Sequence, residues 1–398
     1  MPIYLDHNAT APLNPAAIEA LSVFLGLAPQ QTSQMRSEPQ KAAYYNPSSI
    51  HSFGRRAKRI LAEVRESVAA SLGPSVDHEQ LIFTSSGTEA NQLAIRSILE
   101  PLLRAGKRPH WITTSVEHDS VLQMKTWLEE RGGRCSLIPV DSDGRIQVEK
   151  LSEIIEPDTA LVSAVWVNNE TGVITNVAEI ASQTRARRIP LHLDAAQAWG
   201  KLPIDLAQVS ADLVSVSGHK IGALSGTGVL WVGRGIPIQG SILGKQEKGR
   251  RGGSENLAGI VSLGAAARHL PNQQNLEKIA TLRDRLQHAM SERIPGLMIN
   301  GKDAPRVSNT LNVSIDGIEG DGLIMALDLE GFAVSAGSAC SSGALEPSHV
   351  LMAMGRTKNQ ALAAVRVSLS ANNTWEELEA FVDALERVVN RFRNRNLK

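Results

Sequence analysis

The sequence predicts an α/β protein with a large, mostly parallel β-sheet domain, followed by a smaller α/β domain. Short apolar runs alternate with longer stretches of helical periodicity, which is the pattern of repeated strand–helix–strand units. Several apolar runs end in a cluster of polar residues, and open parallel sheets bind their ligands at that edge. Beyond about residue 258 the sequence becomes richer in helical patterns, which indicates the second domain.

These patterns give the predicted elements and the domain boundaries. The predicted strands of the large sheet are 81–84, 110–113, 161–167, 190–193, 213–217 and 229–232, with helices at 88–103, 120–131, 177–187 and 196–200. The smaller domain is predicted to hold a helix-rich run at 257–293, strands at 310–315, 333–335 and 365–370, and an amphipathic helix from 374 to about 393. We expect an N-terminal arm at 1–20, a large domain at 21–257 and a small domain at 258–398, with a polar surface loop at 28–45.

Composition and charge favour a soluble, cytoplasmic enzyme. The chain has 398 residues, 42% of them hydrophobic, which is enough for a large core. Its 41 basic residues balance its 41 acidic residues, so no net field recruits nucleic acid or anionic lipid. The N-terminus does not resemble a signal peptide, and no apolar run approaches the roughly 20 residues of a membrane span. The two cysteines, Cys135 and Cys340, predict neither a metal site nor a disulfide framework.

A run of small residues after the first predicted strand is a candidate anion site. Ser85-Ser86-Gly87-Thr88 lies between an apolar run and the start of a helix. Backbone N–H groups and the helix dipole at such a start attract a phosphate. An ordinary helix cap is the alternative, and for this motif alone it is the better explanation. The run does not match the G-x-x-x-x-G-K-[ST] loop of nucleoside triphosphate-binding proteins.

Two later strands end in a charged residue. Asp194 closes an apolar strand, where it either caps the next helix or holds the pyridinium nitrogen of pyridoxal 5′-phosphate (PLP). Lys220 follows another strand among small residues, although lysine is usually solvated at the surface. Its functional interpretation is a Schiff-base lysine whose pKa is lowered by desolvation. Ser217 and His219 beside it are placed to bond a phosphate.

Two further strand ends complete the pattern. His118 is either a capping or buried histidine, or a ring that stacks on PLP and moves protons. Asn169, in the segment Asn-Asn-Glu-Thr-Gly, belongs either to a simple turn or to a set of donors for the cofactor's ring oxygen. The candidate phosphate site, the candidate stacking histidine, the amide, the acid and the lysine therefore follow one another along the chain in that order. Helix caps and turns alone do not readily explain five such motifs in this order. Together the motifs predict a PLP site.

These segments resemble the fold-type I PLP enzymes of the class V aminotransferase superfamily. The greatest similarity is to the cysteine desulfurases, in the branch that serves nitrogen fixation and iron–sulfur cluster assembly. The matching motifs run nearly from end to end: YLDHNATAPL (4–13), NPSSIHSFGR (46–55), FTSSGTEANQLAI (83–95), VNNETGVI (167–174), HLDAAQ (192–197), SVSGHKIG (215–222), GRRGGSEN (249–256), NTLNVSI (309–315) and SAGSACSSGALEPSHVLMAMG (335–355). The last motif discriminates most, because it places a cysteine in a Gly/Ser/Ala loop before LEPSHVL.

The resemblance implies a role for each matching residue around PLP. Lys220 would hold the cofactor covalently, Asp194 would pair with its ring nitrogen, and His118 would stack on the ring and transfer protons. Asn169 and Gln197 would contact the ring and its oxygen. The phosphate would be bound by Gly87, Thr88, Ser217 and His219.

Two further positions extend the resemblance to the substrate and to a second subunit. Arg366, within a short apolar strand, would grip the substrate carboxylate together with Asn169, and a bidentate guanidinium explains an arginine at that place. The alternative for Arg366 is a cross-strand surface arginine. Ser254 matches a residue that reaches the phosphate in the other subunit, so the resemblance implies a homodimer. His7 and Asn8 depart from the usual family pattern at the N-terminal arm.

Cys340 selects the reaction, because PLP alone permits transamination, decarboxylation or elimination. A thiolate in a loop of small residues is exposed and reactive, and can attack the sulfur of L-cysteine. The sulfur then stays on Cys340 as a persulfide, and the remainder of the substrate becomes L-alanine. We expect a sulfur-acceptor protein, such as an iron–sulfur scaffold, to take that sulfur. A small buried cysteine is the alternative for Cys340, and Cys135 is expected to be structural.

Three other functions stay open at this point. A selenocysteine lyase or a small-substrate aminotransferase uses the same PLP site, and the aminotransferase does not need Cys340. A degenerate desulfurase that acts only as a scaffold is the non-catalytic alternative, and the intact Lys220, Asp194 and His118 argue against it.

Overall fold

The computed structural model describes residues 2–27, 45–318, 322–336 and 346–395. Its strands are β1 (Ile3–Tyr4), β2 (Leu81–Thr84), β3 (His110–Thr114), β4 (Arg134–Ile138), β5 (Thr159–Val165), β6 (Leu191–Asp194), β7 (Leu213–Ser217), β8 (Gly228–Val232), β9 (Leu297–Ile299), β10 (Thr310–Ile315), β11 (Phe332–Ala333) and β12 (Ala364–Ser368). Its α-helices are α1 (Pro15–Phe24), α2 (Ser52–Leu72), α3 (Gly87–Arg104), α4 (Asp119–Glu129), α5 (Leu151–Ile154), α6 (Val177–Ala186), α7 (Leu257–Arg268), α8 (Gln273–Arg293), α9 (Leu323–Leu329), α10 (His349–Ala353), α11 (Lys358–Leu362) and α12 (Trp375–Arg395).

The large sheet has seven strands in the order β2-β8-β7-β6-β5-β3-β4. Its strands are parallel except β8, which runs antiparallel to both β2 and β7. The prediction of an α/β fold with a large, mostly parallel sheet is therefore confirmed. Because β3, β5, β6 and β7 run in one direction, the residues that follow them meet at one edge of the sheet. These strands are buried on both faces along nearly their whole length, as in sheets covered by helices, although they include polar residues such as His192 and Ser215.

The structure corrects several predicted boundaries. Residues 196–200 form a turn and not the expected helix, because Gly200 takes a φ of +79° and Trp199 bridges to Leu202. Strand β5 begins and ends two residues before the predicted 161–167. Cys135 lies within a strand, β4, that the sequence analysis did not predict. The helix α2 was also missed, although its polar and apolar residues alternate with helical periodicity.

The C-terminal part contains a second, smaller sheet. Strand β10 lies between β9 and β12 and is antiparallel to both. The N-terminal β1 pairs with β11 in a separate two-stranded parallel sheet, so the start of the chain joins its C-terminal part. The chain then returns toward the large sheet, where α1 packs on α7. The domain boundaries at residues 20 and 257 remain predictions.

Two large hydrophobic clusters stabilise these layers. One packs against the large sheet and includes Leu193, Trp199 and Val216. The other packs in the C-terminal part around β10 and α12, and includes Val313 and Phe381. None of the described helices has both the length and the apolar character that a membrane crossing requires.

Phe381 on α12 tests the second cluster. Its side chain is fully buried and meets the ring of Phe332 edge-on, with the ring centroids 5.5 Å apart. Phe381→Ala is expected to lower the free energy of unfolding by about 3–5 kcal/mol, because it removes apolar contacts and leaves a cavity. Urea unfolding measures this change. Leu329→Ala, at an exposed position, is the control and should change stability by less than about 0.5 kcal/mol; equal losses in the two variants would contradict this packing.

Candidate active site

One cavity of about 350 Å³ lies at the edge of the large sheet where the parallel strands end. Nine of the predicted site residues line it: Gly87, Thr88, His118, Asn169, Asp194, Gln197, Ser217, His219 and Lys220. Arg366 of the small sheet lines it as well. The cavity therefore joins predicted site residues that are up to 279 positions apart in the sequence, from Gly87 to Arg366.

The start of α3 forms one end of this cavity. Ser86 caps the helix, since its Oγ accepts a hydrogen bond from the Glu89 backbone N–H at 3.1 Å. The next N–H groups, those of Gly87 and Thr88, have no acceptor within the helix and face a site suited to an anion. A Cβ at Gly87 would lie 3.0 Å from the Cβ of Ser217, so glycine permits the close approach of helix and strand. The motif therefore caps a helix, as the alternative interpretation had it, and also lines the cavity, while its binding of a phosphate stays a prediction.

His219 lies beside this end of the cavity. Its Nδ1 is 3.1 Å from the Thr10 hydroxyl. Burial, followed by the charge of Lys220, lowers the pKa of His219 to about 4. His219 is therefore neutral at physiological pH and acts as a hydrogen-bonding group without a charge.

Asp194 is held by bonds to both carboxylate oxygens. Oδ1 accepts from the Ala196 backbone N–H at 2.9 Å, and Oδ2 accepts from Asn91 Nδ2 at 2.8 Å. Asn91 Nδ2 also donates to Ser120 Oγ, whose oxygen lies 2.8 Å from Nδ1 of His118. The acid and the histidine are thus parts of one hydrogen-bonded network. Asn91 belongs to the motif FTSSGTEANQLAI, but the sequence predicts no role for it. Only its contact with Asp194 reveals one.

His118 is the N-cap of α4 and faces the cavity. Its Nδ1 accepts a hydrogen bond from the Ser120 backbone N–H at 3.1 Å. In the neutral ring, the proton must then be on Nε2, which leaves that nitrogen for proton exchange. The capping role and the functional role that the sequence left as alternatives are compatible.

Lys220 leaves β7 through a short 3₁₀ turn and extends its amine into the cavity. Nζ donates to two carbonyls of the N-terminal arm, Asn8 O at 2.7 Å and Ala9 O at 2.9 Å. Burial, followed by the charge of Arg366, lowers the pKa of Lys220 to about 8. A larger share of the amine is therefore unprotonated near neutral pH than in a solvated lysine, which makes it a better nucleophile.

Arg366 is buried on β12 and makes contacts across the cavity. Nη2 pairs with Asp6 Oδ1 at 2.7 Å, and Nη1 donates to Asn169 O at 3.1 Å. Its Nε is buried and bonds to no described residue. Because Arg366 is buried, it is not the cross-strand surface arginine that the sequence left open as an alternative. A guanidinium has five N–H donors and these two contacts use two of them, so donors remain for a carboxylate, its natural partner.

Glu170, which lines the cavity, and Glu117 are both buried, and neither is among the predicted site residues. Ser348 Oγ donates to Glu170 Oε2 at 2.5 Å, and burial raises the pKa of Glu170 to about 8. Glu117 accepts from Thr114 Oγ1 and from the Val165 backbone N–H, and burial raises its pKa to about 7. In the sequence, only their positions next to His118 and Asn169 could have indicated that these two glutamates lie near the site.

Two residues discussed in the sequence analysis, Ser254 and Cys135, do not line this cavity. Ser254 lines a separate cavity of about 160 Å³ with Glu247 and Arg251. Cys340 lies outside the described residues, so its role stays a prediction from the sequence. Cys135 on β4 is partly buried, and burial raises the pKa of its thiol to about 12, which disfavours the reactive thiolate.

Comparisons with known proteins agree with this geometry. The class V aminotransferase family model matches residues 3–381. A cysteine desulfurase of Gluconacetobacter diazotrophicus is 39% identical, covering 98% of this chain and 94% of that protein. The cysteine desulfurase NifS of Azotobacter vinelandii is 38% identical over the same shares. The crystal structure of a NifS-like protein from Rickettsia africae superposes with a TM-score of 0.83, at 30% identity, covering 98% of this chain and all of that one.

Glu170 predicts a specific dependence of stability on pH. In the folded protein it keeps its proton up to about pH 8, whereas unfolded glutamate loses it near 4.5. Between these values the folded state binds more protons, so this group makes stability fall as pH rises. Glu170→Gln cannot titrate and still accepts a bond from Ser348. Urea unfolding should show the variant gaining more than about 1 kcal/mol relative to wild type between pH 5 and pH 8.

The matched control for this change is Glu149→Gln, at an exposed position. Its stability difference from wild type should stay constant over the same pH range. A constant difference for Glu170→Gln as well would show that Glu170 is ionised in the folded protein.

Proposed function

The chain belongs to the class V aminotransferase family, and on that premise we propose that it is a PLP-dependent cysteine desulfurase that converts L-cysteine to L-alanine. The observation that carries the proposal is the single cavity shared by Lys220, Asp194 and Arg366. An amine of lowered pKa, a buried acid and a free guanidinium donor are what an enzyme of this class needs for its cofactor and for an amino acid substrate.

The residues of the cavity fit PLP. The start of α3 suits the phosphate, and Gly87 leaves the space that a Cβ would fill against Ser217. Asp194 is available for the ring nitrogen, with both oxygens already held in place by Ala196 and Asn91. Gln197 and Asn169 would contact the ring and its oxygen, and His118 would stack on the ring.

When bound, PLP withdraws electrons from the carbon that carries the substrate amine. The protein's own groups then determine the outcome. Lys220 would hold the cofactor through its amine, whose lowered pKa favours the nucleophilic form. His118 exchanges protons at Nε2, because Nδ1 is occupied by the Ser120 N–H. Asp194 keeps the ring nitrogen protonated and so maintains the electron withdrawal.

Arg366 supports the choice of an amino acid as substrate. Its free Nε and its Nη groups provide donors for the α-carboxylate, and Asn169 lies against Nη1. Asp6 pairs with Nη2 and fixes the plane of the guanidinium. The substrate carboxylate would thereby be held at one end of the cavity, with its amine toward Lys220.

Cys340 would receive the sulfur atom. Its thiolate attacks the sulfur of the substrate, so that a sulfur–sulfur bond forms as the carbon–sulfur bond breaks. The electron pair of the broken bond stays with the carbon, which takes up protons to become alanine. The persulfide on Cys340 is then passed to an acceptor protein, for which an iron–sulfur scaffold is the expected class. Ser254 would reach the phosphate site of a second subunit in a homodimer.

Cys340→Ser tests the proposed reaction. Without the thiol, sulfide and alanine production from L-cysteine in the presence of a reductant should fall roughly hundredfold or more, because serine cannot take up the sulfur. Sulfide and alanine are both measured. Cys135→Ser is the control and should keep wild-type rates, since that thiol lies outside the cavity.

The outcome separates the alternatives. Transfer of the amino group from L-cysteine to a keto acid that survives Cys340→Ser would indicate an aminotransferase. A strong preference for selenocysteine over cysteine would indicate a selenocysteine lyase. A wild-type protein that binds no PLP would indicate a scaffold without activity.

Arg366→Lys tests the assignment of the carboxylate site. Lysine keeps the charge but loses the fork geometry and the Nε donor, so KM for L-cysteine should rise roughly tenfold or more. Steady-state kinetics measure KM and kcat separately. Arg356→Lys is the control, because Arg356 bonds to Asn300 and Ser142 away from the cavity. An unchanged KM in Arg366→Lys would remove Arg366 from the substrate site.

A further inference from the structure

A second lysine, Lys201, lies behind the candidate site in the turn that follows Asp194. Gln197 and Lys201 are four residues apart, and Gly200 between them adopts a φ of +79°. A Cβ on Gly200 would lie 3.0 Å from Ile221 Cγ2, so the turn is packed tightly. Lys201 Nζ donates to Asn8 Oδ1 at 2.6 Å and also to Gln197 Oε1. None of the functions assigned above uses this lysine.

These contacts fix how the Gln197 amide is turned and help to fix the Asn8 amide, whose Oδ1 also accepts from Asn309 Nδ2 at 3.1 Å. A lysine amine bonds to the oxygen of an amide and not to its nitrogen, because the nitrogen is itself a donor. The nitrogen of each amide must therefore point away from Lys201. Asn8 Nδ2 accordingly donates to Asn169 O at 3.1 Å and to Thr310 Oγ1 at 2.9 Å.

Gln197 shows the same orientation. Its Nε2 donates to the Asn8 backbone O at 2.9 Å, and Gln197 also lines the cavity. An amide nitrogen carries two hydrogens, so one N–H of Gln197 remains after this bond. Because Lys201 holds the amide oxygen of Gln197, the second N–H of Nε2 is the group that can donate to an acceptor in the cavity.

The arrangement does not depend on whether Lys201 is charged. Burial, followed by the charges of Lys220 and Arg366, lowers the pKa of Lys201 well below its ordinary value. A neutral amine still has two N–H groups, and Nζ has two acceptors among the described residues. Lys201 therefore orients both amides in either protonation state.

We propose that Lys201 is a positioning residue that turns the amides of Gln197 and Asn8, so that Gln197 presents an N–H donor to the ring oxygen of PLP. This inference rests on the proposed function, because it requires PLP in the cavity. Its effect extends to Lys220, since the Asn8 backbone O accepts from both Gln197 Nε2 and Lys220 Nζ. Lys201 acts through other residues and makes no contact with the substrate.

Lys201→Met tests this inference, because methionine has a similar length but no donor. Without Lys201, the Gln197 amide can rotate, and the N–H is no longer reserved for the ring oxygen. The affinity of the apoprotein for PLP should fall roughly three- to tenfold, the loss expected for one hydrogen bond. The visible absorption band of the bound cofactor should also shift. Lys125→Met, on the surface of α4, is the matched control and should leave both properties unchanged.

A double-mutant cycle separates positioning from a general structural effect. In a Gln197→Leu background, Lys201→Met should change PLP affinity less than about twofold, because the amide that it orients is already absent. If Lys201→Met has the same effect in both backgrounds, or none in the wild type, the inference is overturned. Should Lys201→Met not fold, Lys201→Gln takes its place, since its shorter side chain cannot reach both oxygens, and the same difference between backgrounds is required.

The cycle also distinguishes this inference from the proposed function. A wild-type protein that binds no PLP overturns both. A wild-type protein that binds PLP and desulfurates L-cysteine, with a Lys201→Met variant indistinguishable from it, overturns only the role of Lys201.

Discussion

The site depends on one constraint. The amine of Lys220, the carboxylate of Asp194 and the guanidinium of Arg366 share one cavity but must not pair with one another. Buried charges are costly unless each has a fixed partner. Here each has its own: the amine of Lys220 bonds to carbonyls of the N-terminal arm, Asp194 accepts from Asn91, and Arg366 pairs with Asp6. The three groups therefore stay available to a cofactor and a substrate. The lowered pKa of Lys220 follows from this burial and from the nearby guanidinium.

The N-terminal arm supplies several of those partners. Strand β1 pairs with β11 of the C-terminal part, which places Asp6 against Arg366. Two residues later, Asn8 contacts Lys201 and Asn169, and its carbonyl accepts from Lys220. The arm thus links the small sheet, which carries Arg366, to the large sheet, which Lys220 follows. A cofactor and a substrate bound between them would be held by both.

The sequence predicts the fold and the residues that line the cavity better than it predicts their partners. Strand ends are visible as apolar runs followed by polar residues, and parallel strands must place those ends together, so Asp194 and Lys220 could be found. Asn8, Asn91 and Lys201 could not be, because their contacts join positions up to 302 residues apart and nothing local in the sequence marks them. The turn at 196–200 was mistaken for a helix because a single glycine at a positive φ outweighs the propensity of its neighbours.

The central claim is that the amine of Lys220 is the group that holds PLP. Borohydride reduction of the holoprotein, followed by peptide mass spectrometry, tests it directly, because reduction makes the link between cofactor and lysine permanent. The account predicts that the cofactor's mass appears on the peptide containing Lys220, while the peptide containing Lys201 stays unmodified. Modification of Lys201 in place of Lys220, or of neither lysine, would contradict the account.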